Sequence, residues 1–402
     1  GALWYKFLYV VQAAVYPLAW YGRWLPDSPA LAAGIVLFGL LVAQGLTVWG
    51  LRRPANRLPL LLGWGWWALA ALVITLPLET SYLLHGPRLL YLAGVGLALW
   101  WPVLLEPLFD LPRFGRLLWG GLTFILLSSF FFIRGRLLAY QRLTEPVAEV
   151  QRVMVDRPAD EGILLVNLPN WLAPARSQYP VGVELVSMLG GYLFVEELMA
   201  QNLPADHPVQ AVLVPNLLRP APYNYGIHQQ ARGDVIFADW APAGSHIFIT
   251  TYDEDGPRTS YRGRLVPATD QAQLLATFGP YELLAAQAQL CDPEVILAAT
   301  WQAGDPSAIP PTASLFVQLL DQSGNLIAQA DGPPLGLRAD LLELAPGWRI
   351  EDLRRLPAGE GQAERLLIGV YDYATGQRLP ATDVAGRQLA DNALVLPLSE
   401  CN

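Results

Sequence analysis

The sequence predicts a polytopic α-helical membrane domain followed by exported, strand-rich domains. Four uncharged apolar stretches of bilayer-crossing length fill the first third, and the rest breaks into short apolar runs separated by Pro, Gly and Asp. The third observation is a division of charge. Residues 1–136 hold 10 Lys and Arg against 4 Asp and Glu, a net of +6; residues 137–402 hold 16 against 31, a net of −15. Ten of the 14 Trp lie in the first part. Over all 402 residues only 15% are charged, against roughly 25% in ordinary soluble domains, which excludes a disordered chain and disfavours a cytosolic enzyme. The overall net charge of −9 argues against a nucleic-acid partner.

The stretches 30–51, 58–78, 89–105 and 117–133 contain no charged residue and lack the polar face of a buried soluble helix. A fifth span, 3–20, has Lys6 near its start and aromatics at both ends. Its alternatives are a helix lying in the interface or a signal peptide, and Gln12 and the many aromatics speak against the latter. Arg52, Arg53 and Arg57 crowd one short loop and Arg113 and Arg116 another, which places both in the cytoplasm. Five spans then put the N-terminus inside and residues 137–402 outside. No span carries a central ionisable group, so a channel, pump or coupled transporter is disfavoured. The domain of residues 1–136 is thus followed by an amphipathic connecting helix, 137–156, interrupted at Pro146.

In 157–284 the runs 163–168, 210–214, 235–239, 246–252 and 261–266 read as strands and 181–201 as helix-like, giving an α+β or all-β domain closed by a connecting segment, 269–289. In 285–402 the runs 295–301, 315–320, 326–329 and 366–371 have sandwich-like spacing, so an immunoglobulin-like β-sandwich is expected. Asp321–Asn325 and Tyr373–Gln377 read as hairpin loops. The two cysteines, Cys291 and Cys401, stand at the opening and close of this domain. Outside the cytosol a disulfide between them would clamp first strand to last; the alternative is two separate thiols.

His207, His228 and His246 are far apart in sequence and lack metal-ligand spacing. Asp253–Asp255 reads as a hairpin turn rather than a calcium loop. Asn167, Asn170 and Trp171 follow a strand and are candidates for a sugar-binding surface, with ordinary loop and core as the alternative. No phosphate-binding loop, dinucleotide fingerprint or nucleophile elbow is present, and no cofactor is identified.

The segment Arg88-Leu89-Leu90-Tyr91-Leu92-Ala93-Gly94-Val95-Gly96-Leu97-Ala98-Leu99 resembles the "RYLYLPSVGxAL" stretch of polytopic GT-C glycosyltransferases of the protein O-mannosyltransferase type. Leu89 stands at that stretch's first Tyr, and Ala93-Gly94 at its Pro-Ser. Upstream, Arg52-Arg53-Pro54 with Leu62–Leu69 is similar to the family's "RRRP…FGLLWFLLALLP". Leu315–Asp321, Asn325–Gln329, Asp331–Pro334 and Gly369–Asp372 with Thr375–Pro380 resemble a β-sandwich appended to many bacterial relatives. The resemblance implies a polyprenyl-phosphate sugar donor whose phosphate meets Arg88, with Glu79 and His85 in the same outer loop. The family's catalytic carboxylate lies in its first outer loop. The chain begins at Gly1 without Met, so it is expected to be the carboxy-terminal part of a longer enzyme, inactive by itself. The expected partners are the bilayer, the lipid-linked sugar, and an envelope glycan or protein. A non-catalytic envelope anchor whose exported domains bind glycan or protein is the alternative.

Overall fold

The computed structural model describes residues 2–15, 28–78, 90–109, 112–174, 185–187, 195–218, 223–227, 230–231, 244–253, 256–268, 273–303, 306–337, 348–359 and 363–401. They divide into two compact units. One comprises 1–143, 171–191 and 221–226; the other comprises 144–170, 192–220 and 227–402.

The first unit is built on apolar helices: α1 (Ala2–Ala14), α2 (Pro29–Leu51), α3 (Pro54–Thr75), α4 (Tyr91–Phe109) and the start of α5 (Pro112–Met154). Three of them, within α2, α3 and α5, are long and apolar enough to cross a membrane, and α4 is apolar but shorter. Their outward faces are hydrocarbon: Leu41 is 70% exposed, Leu69 63%, Leu117 71% and Phe131 63%. Such faces have no stable place in water and suit a lipid surround. The three-stranded sheet of β2 (Trp171–Pro174), β3 (Val186–Ser187) and β5 (Tyr223–Gly226) also belongs to this unit.

Glycine sets the closest approach. A Cβ on Gly96 would lie 2.5 Å from the Gly63 carbonyl oxygen and 2.6 Å from the Trp67 nitrogen, and one on Gly63 would lie 2.9 Å from the Gly96 oxygen. Helices α3 and α4 therefore touch backbone to backbone, and Trp66 Nε1 donates to the Leu92 carbonyl at 2.9 Å. These contacts run in opposite sequence directions, so α3 and α4 are antiparallel. Trp100 Nε1 donates to Thr47 Oγ1 at 3.1 Å, and Leu104 and Leu60 both lie against Gly50, which sets α2 parallel to α4.

Helix α1 is arranged differently from the spanning segment expected over 3–20. The Lys6 ammonium donates to the Thr75 carbonyl at 3.1 Å and to that of Leu78, satisfying acceptors left over at the end of α3. At the other end, the Ala14 carbonyl accepts from Trp101 Nε1 at 3.0 Å, and Val15 packs on Gly39, near the middle of α2. The described helix thus starts where α3 finishes and runs about 20 Å to mid-bundle, and residues 16–20 of the expected span lie outside the described residues. Lys6 and Leu78 share one end of the bundle, which corrects the expectation that they face opposite sides.

Helix α5 runs unbroken for 43 residues through Pro146, where the sequence predicts an interruption. A proline forfeits one hydrogen bond and bends a helix, and the residues on either side carry it through.

In the second unit, β1 (Gly162–Val166) pairs in parallel with β4 (Val209–Leu213) and with β7 (Ser245–Asp253), and β4 with β6 (Gln230–Ala231). Helix α6 (Val195–Asn202) precedes β4. This parallel set makes the region mixed α+β. Antiparallel strands follow: β8 (Gly256–Pro267), β9 (Ala276–Phe278), β10 (Tyr281–Cys291), β11 (Glu294–Ala303), β12 (Ala313–Leu320), β13 (Leu326–Gln329), β14 (Trp348–Pro357), β15 (Arg365–Asp372), β16 (Gln377–Arg378), β17 (Ala381–Asp383) and β18 (Leu394–Glu400). Hydrogen bonding is continuous in the order β13-β12-β15-β18-β10-β11-β14-β8-β7-β1-β4-β6.

The boundary expected at 284/285 accordingly falls inside β10, and 269–289 holds β9 and most of β10 where a connection is expected. One core joins Leu164 and Ile247 to Trp301, Leu315 and Ile368. Trp301, fully buried, meets the edges of Phe278 at 5.6 Å and Tyr281 at 6.3 Å. Cys291 and Cys401 form a disulfide with their Cα atoms 5.0 Å apart, beside the parallel pairing of β10 with β18. The expected strand 235–239 lies outside the described residues, as does most of 181–201.

Gly96→Val should separate α3 from α4. The purified protein in lipid nanodiscs is expected to melt at least about 10 °C lower than wild type, whereas Gly94→Val, at a position open on all sides, should change the melting temperature little.

Candidate functional site

The polar residues of the second unit gather in one row across the sheet. Register places Ala285 opposite Thr300, Thr300 opposite Glu351, Glu351 opposite Arg264, and Arg264 opposite His246. The neighbouring row reads Gln287, Ala298, Leu353. Strand side chains alternate between faces, so both rows lie on the face away from Trp301 and Ile350.

A bulge completes the row. On β8, Gly263 pairs with Ile247 and Tyr261 with Phe248, leaving Arg262 as an extra residue. Residues 261 and 264 would point to opposite faces of a regular strand; the extra residue brings both to the same one. Gly263 allows this because its φ is +120° and a Cβ there would lie 1.8 Å from the Glu351 carbonyl oxygen. No other residue type fits.

At the charged end of the row Glu161 and His246 are buried, and Arg264 and Glu351 are partly exposed. Glu161, in the turn before β1, accepts from Arg264 Nη1 at 2.7 Å through one carboxylate oxygen and meets His246 Nε2 at 2.8 Å through the other. Arg264 also grips Glu351 with Nε and Nη2. His246 Nδ1 lies 3.0 Å from the Tyr261 hydroxyl. Burial holds the His246 pKa below its ordinary value; Glu161 works against this, and Arg157 and Arg264 assist it. A neutral imidazole with its proton on Nε2 satisfies both contacts, donating to Glu161 and accepting from Tyr261. Burial pushes the Tyr261 pKa up to about 12, so its hydroxyl keeps the proton that it donates to His246.

His207 joins from another direction, its Nδ1 lying 3.0 Å from the Glu161 carbonyl oxygen. Two histidines that the sequence separates therefore meet at one glutamate. Among the described residues no three His, Cys, Asp or Glu side chains are grouped as a metal site requires.

Beside this network opens a groove of about 570 Å³ over β8, β14, β11 and β10. Tyr261, Glu351, Thr300, Gln287, Ala285 and Ala298 line it. Its floor is alanine with Leu353 beside Ala298, and its polar rim is the uncharged end of the row continued from Glu351.

The other sequence candidates fall elsewhere. Glu79, His85 and Arg88 lie outside the described residues, as does His228. Asn167 is fully buried at a φ of +59°, exchanging side-chain bonds with Val214 at 2.8 and 3.1 Å, so it ties β1 to β4 and presents no sugar-binding surface. Asp253 accepts from Gly256 N at 3.1 Å and pairs with Arg258 at 3.0 Å, as a hairpin turn does. Asp321 caps its own turn through Asn325 N at 2.8 Å. Sequence reasoning missed Glu161, Tyr261, Arg264 and Glu351, and the only local signal for them was a glycine inside a strand run. No protein-family model matches the chain, and no curated protein matches it either.

The depressed His246 pKa ties stability to pH. The unfolded imidazole takes a proton near pH 6.5 while the folded one does not, so the unfolded state binds more protons below that pH. Stability is complete above about pH 6.5 and falls as pH drops toward the depressed folded value. Denaturant titrations at about pH 7.5 and about pH 5.5 should show this loss in wild type and a smaller one in His246→Gln. Glu161→Gln should cost about 2–3 kcal/mol at neutral pH, because it replaces the charged acceptor of both Arg264 and His246 with a neutral amide.

Proposed function

We propose that the chain is the membrane-embedded and exported part of a cell-envelope protein of GT-C glycosyltransferase type, handling a polyprenyl-phosphate sugar at the outer membrane face. The observation that best supports the architecture is the joining, in one chain, of hydrocarbon-faced helices to a β-rich body closed by a disulfide. Disulfides of this kind persist outside the cytosol. In this reading α2, α3, α4 and α5 are four spans, and strands β10–β18 form an immunoglobulin-like sandwich continuous with the sheet before it.

The arginine-rich turn between α2 and α3 faces the cytoplasm and the opposite end of the bundle faces outward. Lys6 caps that outward end of α3, so residues 2–6 belong outside with residues 137–402, in place of the cytoplasmic N-terminus expected from the sequence. Arg88, in the connection between α3 and α4, is the residue proposed to meet the donor phosphate, since a guanidinium pairs with phosphate oxygens in two-point fashion. The transferase assignment rests on the sequence resemblance. The groove favours a second reading, in which the exported body serves as a binding module for glycan or protein.

Two measurements test this. Cysteine introduced at Arg57 should resist a membrane-impermeant maleimide on intact cells, while one at Leu3 should be labelled; the reverse pattern would overturn the orientation. In membranes carrying the full-length enzyme, Arg88→Ala should lower sugar transfer by about 100-fold or more while leaving insertion intact. Unchanged transfer would remove the phosphate role.

A further inference from the structure

We propose that the groove over β8, β14, β11 and β10 binds a neutral oligosaccharide, which sits flat on the alanine floor and donates hydroxyl hydrogen bonds to its rim. This rests on the second reading above and gives it a site and a ligand class.

The argument is one of donors, acceptors and charge. Tyr261 directs its proton inward to His246, so its oxygen offers lone pairs to the groove. Glu351 is an acceptor only, and it shares Arg264 with Glu161. Thr300 and Gln287 add one hydroxyl and one amide, each able to give or receive. The rim is therefore richer in acceptors than donors, and its matching ligand carries many donors. Phosphate, sulfate and uronate chains carry acceptors and negative charge. The guanidinium within the row is held between Glu161 and Glu351, and Arg349, two positions along β14 on the same face, donates to Gln302. Neutral hydroxyl groups meet every one of these conditions.

Shape agrees with chemistry. Ala285 and Ala298 stand on the open face of adjacent strands, in neighbouring rows of the sheet. Side chains of this size leave a shallow apolar floor, and a sugar ring has an apolar face of C–H groups to lay upon it. Four strands spaced about 4.8 Å apart span roughly 15 Å, enough for two to three sugar rings rather than one.

His246 adds a polarity control. Protonated, its Nδ1 would become a donor, the Tyr261 oxygen would accept from it, and the hydroxyl proton would turn toward the groove. Glu161, Arg264, Tyr261 and Arg157 are the charged and titratable groups acting on that imidazole, with Glu351 behind Arg264.

The experiment uses the full chain in lipid nanodiscs, free of glycoside detergents. The probes are neutral glucan, mannan and chitin hexasaccharides, with a polyuronate of the same length and inorganic phosphate as charged comparators. Binding is read by saturation-transfer NMR and titration calorimetry. At least one neutral hexasaccharide should bind with a Kd of about 10 μM to 1 mM, and the charged probes at least about 10-fold more weakly. Ala298→Trp, which fills the floor from an exposed position, should abolish binding. Thr300→Val should weaken it about 3- to 10-fold, and serves as the check should the Trp variant fold poorly. No binding by any neutral probe, preferred binding of a charged one, or affinity unchanged in both variants would each overturn the proposal. None of these results bears on labelling at Arg57 or on Arg88, so the membrane reading stands or falls separately.

Discussion

The carboxylate of Glu161 is the point on which the polar architecture of the second unit depends. One oxygen receives Arg264 and the other meets His246, while the residue's own carbonyl meets His207. These partners come from β8, from β7 and from the approach to β4, so a single side chain ties the parallel strands to the antiparallel ones. Buried ion pairs of this kind add little net stability compared with an apolar replacement, but removing one partner is costly. What they confer is uniqueness of arrangement. With Arg264 committed on both sides, Glu351 is fixed, Tyr261 is oriented through His246, and the groove's rim takes a defined pattern of acceptors.

The membrane unit answers a different constraint. Lipid supplies no hydrophobic push between helices, so contact there comes from close packing and from polar groups that find partners inside the protein. Gly63 and Gly96 provide the first. Trp100 with Thr47, Trp101 with Ala14 and Lys6 with the end of α3 provide the second. The tryptophans that crowd the first third of the sequence therefore include several whose indole nitrogens are structural donors.

Periodicity and composition made the helices legible, because an uncharged stretch of twenty apolar residues has few other fates. The same holds for strands 295–301, 315–320 and 366–371: the first alternates with one buried face, and the second is a short apolar run buried on both. Strand β14 went unread because Trp348–Pro357 is rich in Arg, Glu and Asp: Glu351 serves the polar row on one face, and the paired Asp352 and Arg354 are buried on the other, so no apolar pattern remains. The row itself could not be read in advance. Glu161, His246, Arg264 and Glu351 span nearly two hundred positions and become neighbours only through register, which depends on pairings between distant strands. Gly263 was visible as a glycine within a strand, yet the meaning of a bulge depends on which side chains it turns toward each other. The end of the bundle at which α1 starts was equally hidden, since Lys6 in an apolar segment looks the same whether it caps a neighbour or marks a cytoplasmic edge.

The link between Cys291 and Cys401, 110 positions apart, has a consequence for cleavage. Between them lie exposed turns of the closing strands, among them Asp321–Asn325 and Tyr373–Gln377. A protease that cuts any one of these turns produces two chains still joined covalently, each with its strands hydrogen-bonded into a common sheet. A nick there leaves a repaired topology in place of a lost fragment, so the body tolerates cleavage as a two-chain protein would.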